Sequence, residues 1–119
     1  MGQRVLDVGR TAVDDYVRVY AHCSYERPGA VTLLAINLDP DQSVRLEVEG
    51  IPSTGKELYL LSADALDSSD IALNGVILRD ADGALPALEP RQIGRNPADL
   101  PPRTMAFVVF PDAEAAACQ

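Results

Sequence analysis

Two stretches, Tyr16–Cys23 (YVRVYAHC) and Val31–Leu38 (VTLLAINL), decide the fold. In the first, Val17, Val19, Ala21 and Cys23 alternate with Tyr16, Arg18, Tyr20 and His22. That period of two belongs to a strand with one face in a core. The second is apolar at nearly every position, which predicts a strand covered on both faces or on most of both. Between them, Ser24–Ala30 carries Pro28-Gly29, a turn signal. The pair reads as two antiparallel strands at the centre of an all-β domain.

Outward from this pair, further strands are expected at Gln3–Val8, Ser43–Glu49, Glu57–Leu61 and Met105–Phe110. Ser43–Glu49 alternates without exception, Val44, Leu46 and Val48 against Arg45, Glu47 and Glu49, the pattern of a strand with one wet face. Ile71–Leu73 and Val76–Leu78 flank Asn74-Gly75, a hairpin signal, because both central residues of a type I′ turn need positive φ. Gly9–Asp15 reads as a polar connection and Pro52–Gly55 as a turn. Ser62–Asp70 reads as a loop or one helical turn, Ala81–Leu100 as a long irregular excursion, and Asp112–Gln119 as a small-residue tail. No amphipathic helix is visible. The predicted architecture is a single domain over residues 1–119, an antiparallel β-sandwich of about 7–8 strands with an open barrel as the alternative.

The chain has 119 residues, 47% hydrophobic and 24% charged, a globular composition long enough for one continuous core. Its formal charge of −8 repels polyanions, which argues against nucleic acid and against direct binding of sulfated glycan. No apolar run reaches the ~18 residues of a membrane helix, and Met1–Arg10 lacks the apolar centre of a signal peptide. Cys23 and Cys118 are the two cysteines. Spacing alone leaves a disulfide and two unrelated buried thiols equally open.

Chemistry is hard to assemble from these residues. Asp80–Glu89 (DADGALPALE) has partial calcium-loop spacing, but Leu78 would occupy the first ligand position and Pro86 lies inside the loop. A turn explains it. His22 is the single histidine; its neighbour Cys23 points to the opposite strand face, so a cross-strand hydrogen bond is expected rather than a nucleophile pair or zinc site. Asp14, Asp15, Asp64, Asp67, Asp70, Glu47 and Glu49 fall in turns or on one wet strand face, not opposed across a cleft as a glycosidase requires. Tyr16, Tyr20, Tyr25 and Tyr59 could form a sugar platform, but only Tyr16 and Tyr20 share a strand face. The reading assigns no catalytic residue, metal ligand or cofactor.

Taken together, MGQRVL, VRVYAHC, GAVTLLAINL, LNGVILRDADGALPALEP and PPRTMAFVVFPDAEAAAC resemble the C-terminal β-sandwich of glycoside hydrolase family 79, nearest the heparanase-type endo-β-glucuronidases. The likeness runs in order along nearly the whole chain. It implies that Cys23 and Cys118 form a disulfide stapling the tail to the sandwich. It implies that the two catalytic glutamates lie on a preceding (β/α)8 barrel, absent here, of the same or a companion chain. It also implies that part of the sandwich comes from residues ahead of that barrel, so this chain should lack a strand and expose an unpaired edge. A shorter segment between the two key strands, Gln119 at the end and an acidic, Ala/Asp/Arg-rich composition point to a bacterial relative. The expected role is a non-catalytic module of a secreted or periplasmic enzyme that hydrolyses β-glucuronides with retention. The alternative is a stand-alone carbohydrate-binding or adhesion module, which the scarcity of aromatic residues disfavours.

Overall fold

In the computed structural model, which describes residues 1–9, 15–52 and 54–119, the chain forms ten short strands. They are β1 (Val5–Leu6), β2 (Val17–Cys23), β3 (Val31–Asn37), β4 (Val44–Leu46), β5 (Lys56–Ser62), β6 (Ala72–Leu73), β7 (Val76–Ile77), β8 (Arg91–Gly94), β9 (Ala98–Leu100) and β10 (Thr104–Phe110), followed by a 3₁₀ turn at Ala116–Cys118. Eight strands make one antiparallel sheet in the order β1-β2-β3-β10-β5-β6-β7, with β8 also paired to β5. β4 and β9 form a second, two-stranded sheet. The fold is an all-β sandwich, as expected, with very unequal layers.

Register shows which residues make the core. Cys23, Ala21, Val19 and Val17 stand opposite Val31, Leu33, Ala35 and Asn37. These in turn face Phe110, Val108, Ala106 and Thr104. Leu58 and Leu60 of β5 pair with Val108 and Ala106. This face packs against Ala98 and Leu100 of β9 and the partly buried Val44 and Leu46 of β4. Asn37 is fully buried; its amide donates to the carbonyls of Gln42 (2.9 Å), Leu100 (3.2 Å) and Pro101 (3.2 Å), and its Oδ1 accepts from the Asp39 N–H at 3.0 Å. One side chain thus ties the end of β3 to the second sheet, with no polar atom left unpaired.

The Asn74-Gly75 hairpin forms between β6 and β7, with φ of 49° and 86° at the two turn residues. The Asn74 side chain has a second job. Its Oδ1 accepts from Leu60 N–H at 3.0 Å and its amide donates to the Leu58 carbonyl at 2.9 Å. It fills the gap on the edge of β5 between the half paired to β8 and the half paired to β6.

Several sequence expectations need correction. The excursion Ala81–Leu100 is not irregular throughout, since it holds β8 and β9; strands of three or four residues are too short to show a period. Gln3–Val8 contracts to Val5–Leu6 and Ser43–Glu49 to Val44–Leu46. In the latter, Val48 still packs partly against the core, but β9 has only three residues and residues 47–49 find no ladder partner among the described residues. Among those residues the second sheet is therefore two-stranded, with no further strand paired to β4 or β9. Most of the Gly9–Asp15 connection, and one residue of the Pro52–Gly55 turn, lie outside the described residues.

The tail is fastened at several points. Cys23 and Cys118, 95 positions apart in sequence, form a disulfide with Cα atoms 5.3 Å apart. Gly29 N–H donates to the Cys118 carbonyl, and Ala115 N–H to the Gly29 carbonyl, both at 2.9 Å. The Arg4 guanidinium donates to the Ala117 carbonyl. Ala113 and Cys118 thereby enter the core. Replacing both cysteines by serine is expected to lower stability by about 4–5 kcal/mol, the loop-closure contribution for so long a loop. Urea unfolding of the oxidised protein and the double variant would show it, and a difference below about 1 kcal/mol would mean the backbone contacts hold the tail unaided.

Candidate functional site

The face of the large sheet opposite the core is also apolar, and the described residues cover it only in part: Thr32, Leu73 and Val109 are buried there, the rest are not. Three cross-strand rows compose it. The first is Arg18, Ile36, Met105, Leu61 and Leu73; the second Tyr20, Leu34, Phe107 and Tyr59; the third His22, Thr32, Val109 and Glu57. Leu34, Ile36, Met105, Phe107, Tyr59 and Leu61 are only half-buried, although each is a residue type that a core would bury. The run Val31–Leu38 is covered fully on one face; on the other Thr32 is buried, Leu34 and Ile36 are half-buried and Leu38 is exposed, so the cover predicted for both faces is partial on this one.

Two depressions open on this face and meet at Leu61. One, of about 440 Å³, is lined by Thr32, Glu57, Tyr59, Phe107 and Val109 on the sheet, with Met1, Tyr25, Leu78, Leu85 and Leu88 around it. The other, of about 600 Å³, lies over Ile36 and Met105 and is bordered by Leu38, Pro40, Leu66, Ile71 and Arg103. Bordering residues stand out into solvent: Leu66 is 79% exposed, Leu85 77% and Tyr25 68%. Isolated exposed leucines are ordinary, but a contiguous apolar face rimmed by them marks an interaction surface.

Polar chemistry on the face is sparse. Arg27 Nη1 and Glu57 Oε2 form an ion pair at 2.9 Å, and the Ser24 and Thr32 hydroxyls share a hydrogen bond at 2.7 Å. Burial pushes the Tyr59 phenol above its ordinary pKa; the Glu57 carboxylate adds to that rise and the Arg27 guanidinium opposes it.

The residues weighed in the sequence fall elsewhere or apart. His22 Nδ1 lies 2.9 Å from the Gly2 carbonyl oxygen, the cross-strand contact expected of it. Asp80–Gly83 is a tight turn: the Ala81 and Ala84 amides and carbonyls bond each other at 3.0 Å, and Gly83 N–H donates to Asp80 Oδ2 at 3.2 Å. Asp15, Glu47, Glu49, Asp64, Asp67 and Asp70 are exposed, Asp70 pairing with Arg79 at 3.2 Å; Asp14 lies outside the described residues. The tyrosines make no platform. Tyr20 and Tyr59 share a row but are three strand spacings apart, about 14 Å, with Leu34 and Phe107 between them. Sequence reasoning did not identify the open face as a site. Its signal was present in Met105–Phe110, which is apolar on both strand faces, and in Leu85 and Leu88 inside a polar excursion.

No protein-family model matches the chain. Curated proteins do. The chain is 35% identical over 121 residues to inactive heparanase-2 of Mus musculus and of Homo sapiens, with 90% of this chain and 20% of those proteins covered. It is 32% identical over 155 residues to heparanase-like protein 1 of Arabidopsis thaliana, covering 99% of this chain and 28% of that protein. It is 28% identical over 132 residues to hyaluronoglucuronidase of Hirudo nipponia, covering 100% and 26%. Most of the chain is thus homologous to proteins of the heparanase family, and it spans 20–28% of the length of these relatives.

Because folding favours the protonated Tyr59 phenol, its contribution to stability is whole below the ordinary value of 10.0 and is lost as pH rises through the folded value. Tyr59→Phe is expected to flatten the decline in stability above pH 10.0, measured by urea midpoints across alkaline pH. An unchanged decline would place the cause at another tyrosine or lysine.

Proposed function

We propose that these residues are the non-catalytic β-sandwich of a heparanase-type glycosidase of family 79, and that the open apolar face docks on the enzyme's (β/α)8 catalytic barrel. In this reading the module supports, without performing, retaining hydrolysis of β-glucuronide linkages in a heparan sulfate-like glycosaminoglycan or a simpler glucuronide. Two glutamates on the barrel act as acid/base and nucleophile. The observation that carries the proposal is the open face itself, a half-finished core needing a second layer. Homology to much longer proteins of the heparanase family supports it. That one relative is named inactive heparanase-2 fits a region that carries structure rather than chemistry.

The Cys23–Cys118 disulfide supports a secreted or periplasmic setting, because such bonds persist where thiols are not kept reduced. The acidic, Ala-, Asp- and Arg-rich composition favours a bacterial source, while the matched relatives are eukaryotic.

Purified from its native source, the chain is expected to travel with barrel sequence, either in one polypeptide or as a companion that separates only under denaturation. Mass measured under native and then denaturing, non-reducing conditions decides this. A folded, monodisperse species of 12.8 kDa without a partner would overturn the proposal in favour of a stand-alone module. Leu61→Asp, at the junction of the two depressions, is expected to weaken association with the barrel at least tenfold, equivalent to about 1.4 kcal/mol, while circular dichroism still shows the β fold.

A further inference from the structure

The β6–β7 turn, Asn74-Gly75, is also the dipeptide in which a peptide nitrogen most readily attacks a side-chain amide. The chain has three asparagines, at positions 37, 74 and 96. Asn96 precedes Pro97, which has no N–H to act as nucleophile. Asn37 precedes Leu38, whose branched side chain crowds the peptide nitrogen. At Gly75 that nitrogen is open. Apart from its chain neighbours, nothing lies within 4 Å of where a Cβ would stand, and the Gly75 N–H makes no hydrogen bond among the described residues.

The amide it would attack is held instead. Asn74 Oδ1 accepts from Leu60 N–H at 3.0 Å, and Nδ2 donates to the carbonyls of Leu58 at 2.9 Å and, more loosely, Glu89 at 3.4 Å. The Asn74 N–H itself donates to the Leu60 carbonyl at 2.8 Å. We propose that Asn74 is a self-modifying site, whose deamidation is held off by these contacts to β5 and proceeds when the β6–β7 hairpin opens.

The step needs only water. Gly75 N bonds to Asn74 Cγ, the Cγ–Nδ2 bond breaks, and Nδ2 departs as ammonia with the proton that Gly75 N gives up. The five-membered succinimide then adds water at either carbonyl. Opening at the main-chain carbonyl yields isoaspartate; opening at Cγ yields aspartate. Ring closure requires the side chain to swing over its own peptide, which the bonds to Leu58 and Leu60 prevent.

Both products act as a latch against reclosure. Aspartate has no donor for the Leu58 carbonyl, so acceptor meets acceptor in a part-buried position. Isoaspartate adds a carbon to the backbone of a two-residue turn, which sets the register of Leu73 with Val76. On this edge of β5, Leu61 and Ser62 pair only with Leu73 and Ala72 of the hairpin, so its displacement leaves them as an unpaired strand edge.

The test is peptide mass spectrometry on the full polypeptide that carries this chain, incubated at mildly alkaline pH either native or unfolded in urea with the disulfide intact. Aspartyl and isoaspartyl peptides are separated by chromatography. Conversion of Asn74 is expected to be at least about tenfold faster in urea, as for a site gated by local opening, and to outrun conversion of Asn37 and Asn96. In the native protein it should keep pace with hydrogen exchange of the Leu60 amide, which the same opening frees. Native conversion as fast as in urea, or unrelated to that exchange, would overturn the protection. Conversion of Asn37 as fast as Asn74 in urea would overturn the choice of site. Asn74→Asp tests the latch separately: exchange at Leu60 is expected to rise at least about tenfold, while the amides of β2 and β3 stay protected. Unchanged exchange at Leu60 would overturn the latch, since the product would then fit where the amide did.

Discussion

A strand that is apolar on both faces must be covered on both, and β3 and β10 impose that requirement on this chain. They lie side by side at the centre of the large sheet. Their inward residues find a cover in β4, β9 and the tail; of their outward residues only Thr32 and Val109 are buried. Each large apolar side chain moved from water to full burial contributes about 1.5–3 kcal/mol. The six half-buried side chains on the open face therefore hold a substantial unused driving force for association. The small second sheet, the leucines around the depressions and the sparse polar chemistry are consistent with a layer made to be completed by something else.

The two ends of the chain are drawn into the same corner. Gly2 N–H bonds the Cys23 carbonyl at 2.7 Å, and a Cβ at Gly2 would come within 2.6 Å of that oxygen, so a larger residue there would push β1 away from β2. The 3₁₀ turn closes over the same strand through Cys118, and Arg4, just ahead of β1, reaches that turn. This corner adjoins the depression that Met1 lines.

Much of the fold was legible because its signals are local. Alternation in Tyr16–Cys23, the unbroken apolar run Val31–Leu38 and the Asn74-Gly75 turn each correspond to an element where expected. Strands β8 and β9 were not legible, since three or four residues such as Arg91–Gly94 and Ala98–Leu100 cannot display a period and are strands only because β5 and β4 are there to pair with. The shortening at Ser43–Glu49 has the same origin in reverse: the pattern is that of a strand, and the partner is missing. The open face was hidden for another reason. Whether Phe107 and Leu61 are covered depends on what the whole sheet meets, which no local pattern encodes.

The position of β10 has a consequence for the making of the protein. The strand in the middle of the sheet, between β3 and β5, is the last of the described strands to be made. Until then the β2–β3 and β5–β8 pairs have no common neighbour and cannot join. Completion of the sheet is therefore dominated by contacts distant in sequence and correspondingly slow. A chain cut short before residue 104 would lose the strand that unites its two halves, however much of the sequence remained.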